Sequence, residues 1–150
     1  MNASDRIEKT TVLRAPRSRV WRALTDAREF GAWFGVRLAG EFVPGRPTKG
    51  QITYPGYEHL TMEVTAERMD AETLFSYRWH PYAIDPKADY SNEPMTLVEF
   101  RLEDSADGTA LAVIESGFDR IPAGRRDEAY RMNSQGWVSQ LDNIARHLSS

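Results

Sequence analysis

The chain is 150 residues long, 41% hydrophobic and 27% charged, which fits one domain with one core and excludes a chain disordered beyond its ends. Nineteen Lys and Arg against 22 Asp and Glu leave a net charge of −3, without the basic footprint of a nucleic-acid binder. Cysteine is absent, which removes disulfides, thiol catalysis and thiolate metal sites and suits a reducing compartment.

The opening Met1 to Arg6 is polar, and no apolar run approaches the ~20 residues of a membrane span. A single domain over residues 1–150, a cytoplasmic location and no membrane partner are expected.

Arg6 to Leu13, rich in Thr, Val and Ile but only weakly alternating, predicts a strand near a sheet edge. Ala15-Pro16 ends it. Val20, Trp21 and Leu24, at i, i+1 and i+4, then give a short amphipathic helix that breaks at Thr25-Asp26. The Asp26 side chain is suited to accept from the free amides of the next turn, where Phe30, Trp33 and Phe34 repeat at i, i+3 and i+4 as far as Gly35. Trp21, Phe30, Trp33 and Phe34 carry more aromatic surface than two short helices bury alone, so both helices pack on something larger.

From Val36 to Pro55, Gly40, Pro44, Gly45, Pro47 and Gly50 punctuate short β-prone pieces, as in twisted strands joined by turns. Met62, Val64 and Ala66 alternate with Thr61, Glu63, Thr65 and Glu67, the pattern of a half-buried antiparallel strand. A tight turn at Asp70-Ala71-Glu72 leads into Thr73 to His80, with Phe75, Tyr77 and Trp79 on one face. Pro81 to Pro94 is polar, proline-rich and aperiodic, and reads as a long loop. Val98, Phe100 and Leu102 alternate again, and Asp107-Gly108 turns the chain into Leu111 and Val113.

After Pro122 and Gly124 the chain is helical. Tyr130, Ser134, Trp137, Leu141, Ile144 and Leu148 recur at spacings of four and three over about seven turns, forming one inner stripe from about Gly124 to Leu148. The fold class is α+β: a curved antiparallel sheet of about six to seven strands wrapped around a long C-terminal helix, with two short helices after the first strand. A curved sheet meets a straight helix along only part of its length, so a mostly apolar pocket beside the helix is expected.

Ala15-Pro16, Val20-Trp21-Arg22-Ala23-Leu24-Thr25-Asp26, Trp33-Phe34-Gly35, Glu115-Ser116-Gly117-Phe118 and Gly136-Trp137 stand in a characteristic order. This series resembles bacterial proteins similar to the C-terminal domain of the activator of the heat-shock-protein-90 ATPase, within the START-like (helix-grip, SRPBCC) superfamily. The resemblance runs from Arg6 to Leu148 and implies a single START-like domain with an internal cavity for an apolar or amphipathic small molecule. It implies no one activity, since relatives look like lipid carriers, hormone sensors, polyketide cyclases, antibiotic-sequestering proteins and chaperone activators.

His59, His80 and His147 stand at no metal-ligand spacing, and there is no phosphate loop, dinucleotide fingerprint or serine-nucleophile elbow, so no metal and no cofactor are expected. His80 ends a strand just before the long loop, where a pocket mouth would lie. His147 reads as a charge partner of the helix C-terminus, and Arg125-Arg126 as a solvated helix start.

Glu115 falls two residues beyond Val113, on the inward face. Burying it alone costs several kcal/mol or raises its pKa, so it needs a partner such as Arg78, Arg126, Tyr77 or a ligand. Tyr130 and Asn133, near the start of the long helix, are placed to supply polar contacts at the pocket opening.

The leading expectation is therefore a binder of a hydrophobic or amphipathic small molecule. Its pocket is walled by Phe75, Tyr77, Trp79, Val98, Phe100, Val113 and the long helix, with Glu115, Tyr130 and Asn133 as polar anchors and no catalytic residue assigned. An enzyme of cyclase or hydrolase type is the alternative, with Glu115 and His80 or Tyr77 moving protons. A chaperone-related module is a third reading, and it needs an exposed apolar surface near Trp33 and Phe34. Homodimers commonly cover exposed helices and sheet edges, so a second copy of the chain stands among the expected partners.

Overall fold

The computed structural model describes residues 5–85 and 87–149; the polar opening Met1 to Ser4, and Pro86 in the expected long loop, lie outside the described residues. Strand β1 (Arg6–Leu13) leads into helices α1 (Arg17–Thr25) and α2 (Ala27–Phe34). Strands β2 (Val36–Leu38), β3 (Pro47–Ile52), β4 (Thr61–Asp70), β5 (Leu74–Trp79), β6 (Thr96–Ser105) and β7 (Gly108–Ser116) follow. A 3₁₀ turn (Phe118–Arg120) then precedes helix α3 (Ala123–Ser149).

The boundaries have local causes. Pro16, extended at φ −68° and ψ 158°, is the residue from which α1 starts, its carbonyl accepting from the Arg19 and Val20 amides at 3.0 and 3.1 Å. Asp26 ends α1 with extended backbone and caps α2, its carboxylate accepting from the Arg28 and Glu29 amides at 3.0 and 3.1 Å. Gly35 stops α2 at φ 95°. At the β6–β7 turn Gly108 has φ 144°, and a Cβ there would lie 2.1 Å from the Leu13 carbonyl oxygen, so only glycine lets this turn pack against the end of β1.

The seven strands form one antiparallel sheet in the order β1-β7-β6-β5-β4-β3-β2. Met62, Val64 and Ala66, then Phe75 and Tyr77, Val98, Phe100 and Leu102, and Leu111 and Val113 are all buried, which sets one face of the sheet against the helices. A register shift between Ala66 and Arg68 ends the regular alternation in β4. The sheet curves around α3, which packs on β1, α1 and α2 and buries Trp137, Leu141 and Ile144. The architecture is the α+β helix grip that the pattern and the resemblance predict. Among the described residues no helix is long and apolar enough to cross a membrane.

Candidate functional site

The strand register assembles a polar cluster inside an apolar sheet face. Val98 of β6 faces Tyr77 of β5 on one side and Glu115 of β7 on the other, and one pleat along Thr96 faces Trp79. Side chains two residues apart share a face, so Tyr77, Trp79, Thr96, Val98 and Glu115 all point toward α3. Asn133 and Trp137 lie at i and i+4 on that helix and reach the same patch.

Glu115 is 0% exposed and surrounded by donors. Oε2 accepts from the Thr96 hydroxyl at 2.6 Å and from the Trp79 indole N–H at 2.7 Å. Oε1 accepts from the Trp137 indole N–H at 2.8 Å, and Asn133 Nδ2 donates to both oxygens, at 3.0 and 3.3 Å. Burial raises the Glu115 pKa; the hydrogen bonds from Thr96, Trp79, Trp137 and Asn133 work against it, and the net position is above the ordinary carboxylate range.

The protein partners expected for Glu115 are not the ones it has. Arg78 pairs with Glu67, and Arg126 donates to the Ile121 carbonyl at 3.1 Å. Tyr77 is inside, but its hydroxyl has no hydrogen-bond partner among the described residues, and burial followed by the nearby Glu115 charge pushes its pKa well above the ordinary value. Four neutral donors on two strands and a helix replace the expected cation, because each indole N–H inside the core needs an acceptor as much as the carboxylate needs donors.

The expected pocket walls divide into two groups. Phe75, Tyr77, Val98, Phe100 and Val113 are at most 1% exposed. Ring packing fills the space between them: Phe75 stacks on Phe100 at 6.0 Å, and Phe100 meets Trp137 edge-on at 5.7 Å. None of these five residues lines either of the cavities described next, and aromatic packing takes up the interior around them.

Trp79 and Asn133 instead line a cavity of about 160 Å³ together with Phe34, Gly136, Trp137 and Gln140. Phe34 and Trp79 also line a second cavity of about 340 Å³, whose wall includes Ile52, Leu60, Met62, His80, Tyr82 and Ile84. A larger groove of about 510 Å³ beside α2 and β2 has no aromatic ring in its lining. The two cavities that meet at Phe34 and Trp79 form the candidate site, combining aromatic walls with two oriented amides, Asn133 and Gln140.

Tyr130 lies outside both cavities. Its hydroxyl donates to the Arg6 carbonyl at 3.0 Å and its ring meets Phe118 edge-on at 5.3 Å. His80 stands in the wall of the larger cavity, with Nε2 3.1 Å from the Glu93 carbonyl oxygen. His147 bonds Glu29 of α2 at 2.9 Å rather than serving only its own helix end. Burial raises the Glu29 pKa, yet the hydrogen bonds from His147, Arg19 and Arg22 outweigh it and leave the carboxyl below its usual range.

Arg125 is no solvated helix start. Its guanidinium pairs with Glu93 at 2.7 Å, donates to the Pro81 and Tyr82 carbonyls at 2.8 and 3.3 Å, and lies 4.8 Å over the Tyr90 ring. It thus ties the start of α3 to the segment that supplies Tyr82, Ile84 and Tyr90 to the larger cavity. Tyr82 adopts φ 51°, a left-handed conformation uncommon for a non-glycine residue.

Sequence reasoning missed Phe34, Gly136 and Gln140 as cavity lining and Thr96, Trp79 and Trp137 as donors to Glu115. One signal was available: Asn133 and Trp137 share the helix face opposite an inward acid, and a buried indole N–H seeks an acceptor.

The family model described as activator of Hsp90 ATPase homolog 1-like protein matches residues 14–149. No curated protein matches the chain. Among solved structures, the chain is similar to protein MLL2253 from Mesorhizobium loti, at 22% identity and a TM-score of 0.75 with 96% of each chain covered. It is similar to DynU16, a protein of the dynemicin biosynthetic locus, at 22% identity and a TM-score of 0.74, covering 97% of this chain and 48% of that one. CalU16 from Micromonospora echinospora matches at 22% identity and a TM-score of 0.61, with 96% and 74% covered. The chain spans about half the length of DynU16; at these identities the likeness is one of fold.

Proposed function

Because the chain belongs to the family of activator of Hsp90 ATPase homolog 1-like proteins, we propose that it acts as a binding protein of that fold, taking up an apolar or amphipathic small molecule. The observation that carries the reading is the pair of cavities joined at Phe34 and Trp79, where aromatic rings from α2, β5 and α3 meet. A volume of about 340 Å³ lies within the range of small-molecule sites, and a mostly apolar wall with few polar groups is their usual makeup.

Glu115 enters as a positioning residue. It has no exposed surface, and its oxygens are occupied by Thr96, Trp79, Trp137 and Asn133, so it sets the aromatic wall rather than offering a proton to a ligand. The chaperone-module reading needs an exposed apolar surface near Trp33 and Phe34; Trp33 is buried with its indole N–H on the Ala23 carbonyl at 2.8 Å, and Phe34 is half-buried.

Titration with Nile red, a neutral apolar dye, tests the proposal. Saturable binding should enhance the dye's fluorescence and shift the indole N–H resonances of Trp79 and Trp137. A dye that fails to bind, or binds without moving either indole, would overturn it. Native mass spectrometry of the protein purified from its own host should show a bound small molecule that organic solvent releases.

A further inference from the structure

The buried carboxylate behind the smaller cavity decides which ligand chemistry that cavity selects, given the binding role proposed above. Every hydrogen bond formed with the Glu115 carboxyl comes from a donor: two indole N–H groups, one hydroxyl and one carboxamide NH₂. Such a set suits the ionised, acceptor-only form. It also fixes the Asn133 amide, whose Nδ2 is committed to the carboxylate. Asn133 lines the cavity, and among the described residues its Oδ1 accepts no hydrogen bond, which leaves a free acceptor for a ligand.

The remaining polar side chain of that cavity is occupied. Gln140 Nε2 donates to the Phe34 carbonyl at 2.9 Å, and its Oε1 accepts from Asn143 at 3.1 Å. The rest of the wall is the rings of Phe34, Trp79 and Trp137 with Gly136, and no Lys or Arg lines either cavity.

The geometry points to a flat, uncharged ring system carrying a hydroxyl or N–H donor as the ligand class, with the ring against Phe34, Trp79 and Trp137 and the donor on Asn133 Oδ1. A void of about 150 Å³ holds a benzene-sized molecule, so 160 Å³ takes one ring and the adjoining cavity takes its extension. Aromatic neighbours favour a ring over an aliphatic chain. A carboxylate ligand is disfavoured twice: Oδ1 has no proton to give it, and the buried Glu115 charge repels it through a medium of low dielectric.

Three two-ring probes separate the possibilities by isothermal titration calorimetry near neutral pH: 2-naphthol, naphthalene and 2-naphthoate. The expected order is 2-naphthol about tenfold tighter than naphthalene, as one hydrogen bond supports, with 2-naphthoate weaker than either. In Asn133→Leu the preference for 2-naphthol over naphthalene disappears. Equal binding of 2-naphthol and naphthalene by the unaltered protein, or tighter binding of 2-naphthoate, overturns the ligand class and leaves the binding role standing. Failure of all three to bind overturns both. Asn133→Leu removes a donor from Glu115, so its folding is checked by circular dichroism, and the ranking on the unaltered protein decides by itself if the variant does not fold.

Discussion

Trp79 on β5 and Trp137 on α3 stack at 5.8 Å with 29° between their planes, and each gives its indole N–H to a different oxygen of one carboxylate. Sheet and helix are thereby joined through a single acid, at the point where the smaller cavity opens.

Removing that acid should cost more than removing any one of its donors. Glu115→Ala leaves two indole N–H groups, a hydroxyl and an amide without an acceptor in a closed core, for an expected loss of about 3–5 kcal/mol. Glu115→Gln keeps the volume but turns an NH₂ toward donors, for a loss of about 1–3 kcal/mol. Urea unfolding monitored by circular dichroism checks both, and a loss under about 0.5 kcal/mol for Glu115→Ala would show that the network does not stabilise the fold.

The pH dependence follows from the raised pKa of Glu115. The folded state holds this proton more tightly than the unfolded state, so between the ordinary carboxylate range and the higher folded value the native protein binds more protons. This contribution is fully present below the ordinary range and is lost as pH rises through the folded pKa. Glu115→Gln should remove it, leaving a flatter stability profile over that window. Identical profiles for the two proteins would contradict the assignment.

Tyr77 offers the opposite test. Its hydroxyl is buried with no partner among the described residues, so Tyr77→Phe deletes an unsatisfied group at almost constant volume. The variant should be as stable as the parent or up to about 1 kcal/mol more stable. A loss greater than about 1 kcal/mol would mean that the hydroxyl is bonded in solution.

Arg125 should hold the outer wall of the larger cavity. Arg125→Ala removes its contacts to Glu93, Pro81, Tyr82 and Tyr90, and amide exchange in residues 80–85 and 90–93 should rise about tenfold or more while β6 and β7 stay protected. Arg125→Lys should recover little of this, because an ammonium lacks the forked guanidinium that spans a carboxylate and two carbonyls. Unchanged exchange in that segment would refute the tether.

Some of this was legible in the sequence because its causes are local. Asp26 had to cap α2 and Gly35 had to end it, since side-chain acceptors and left-handed backbone are written in residue type. The period of two placed Phe75, Tyr77, Val98, Phe100, Val113 and Glu115 on the buried face, and the period near 3.6 gave α3 its length and its stripe. Even the need of Glu115 for a partner followed from the energetics of burying an acid.

Which groups meet it did not follow. Trp79, Thr96, Asn133 and Trp137 come from three elements up to 58 residues apart, and only strand register and the placement of α3 across the sheet bring them together. Cavity volume is likewise a difference between the space enclosed and the side chains that fill it. The interior at Phe75, Val98 and Phe100 closed while the edge at Phe34 and Trp79 stayed open. Periodicity determined which face each residue takes, because that depends on the backbone alone; tertiary packing decided which residues touch and where space remains, because those depend on distances between elements that no local pattern encodes.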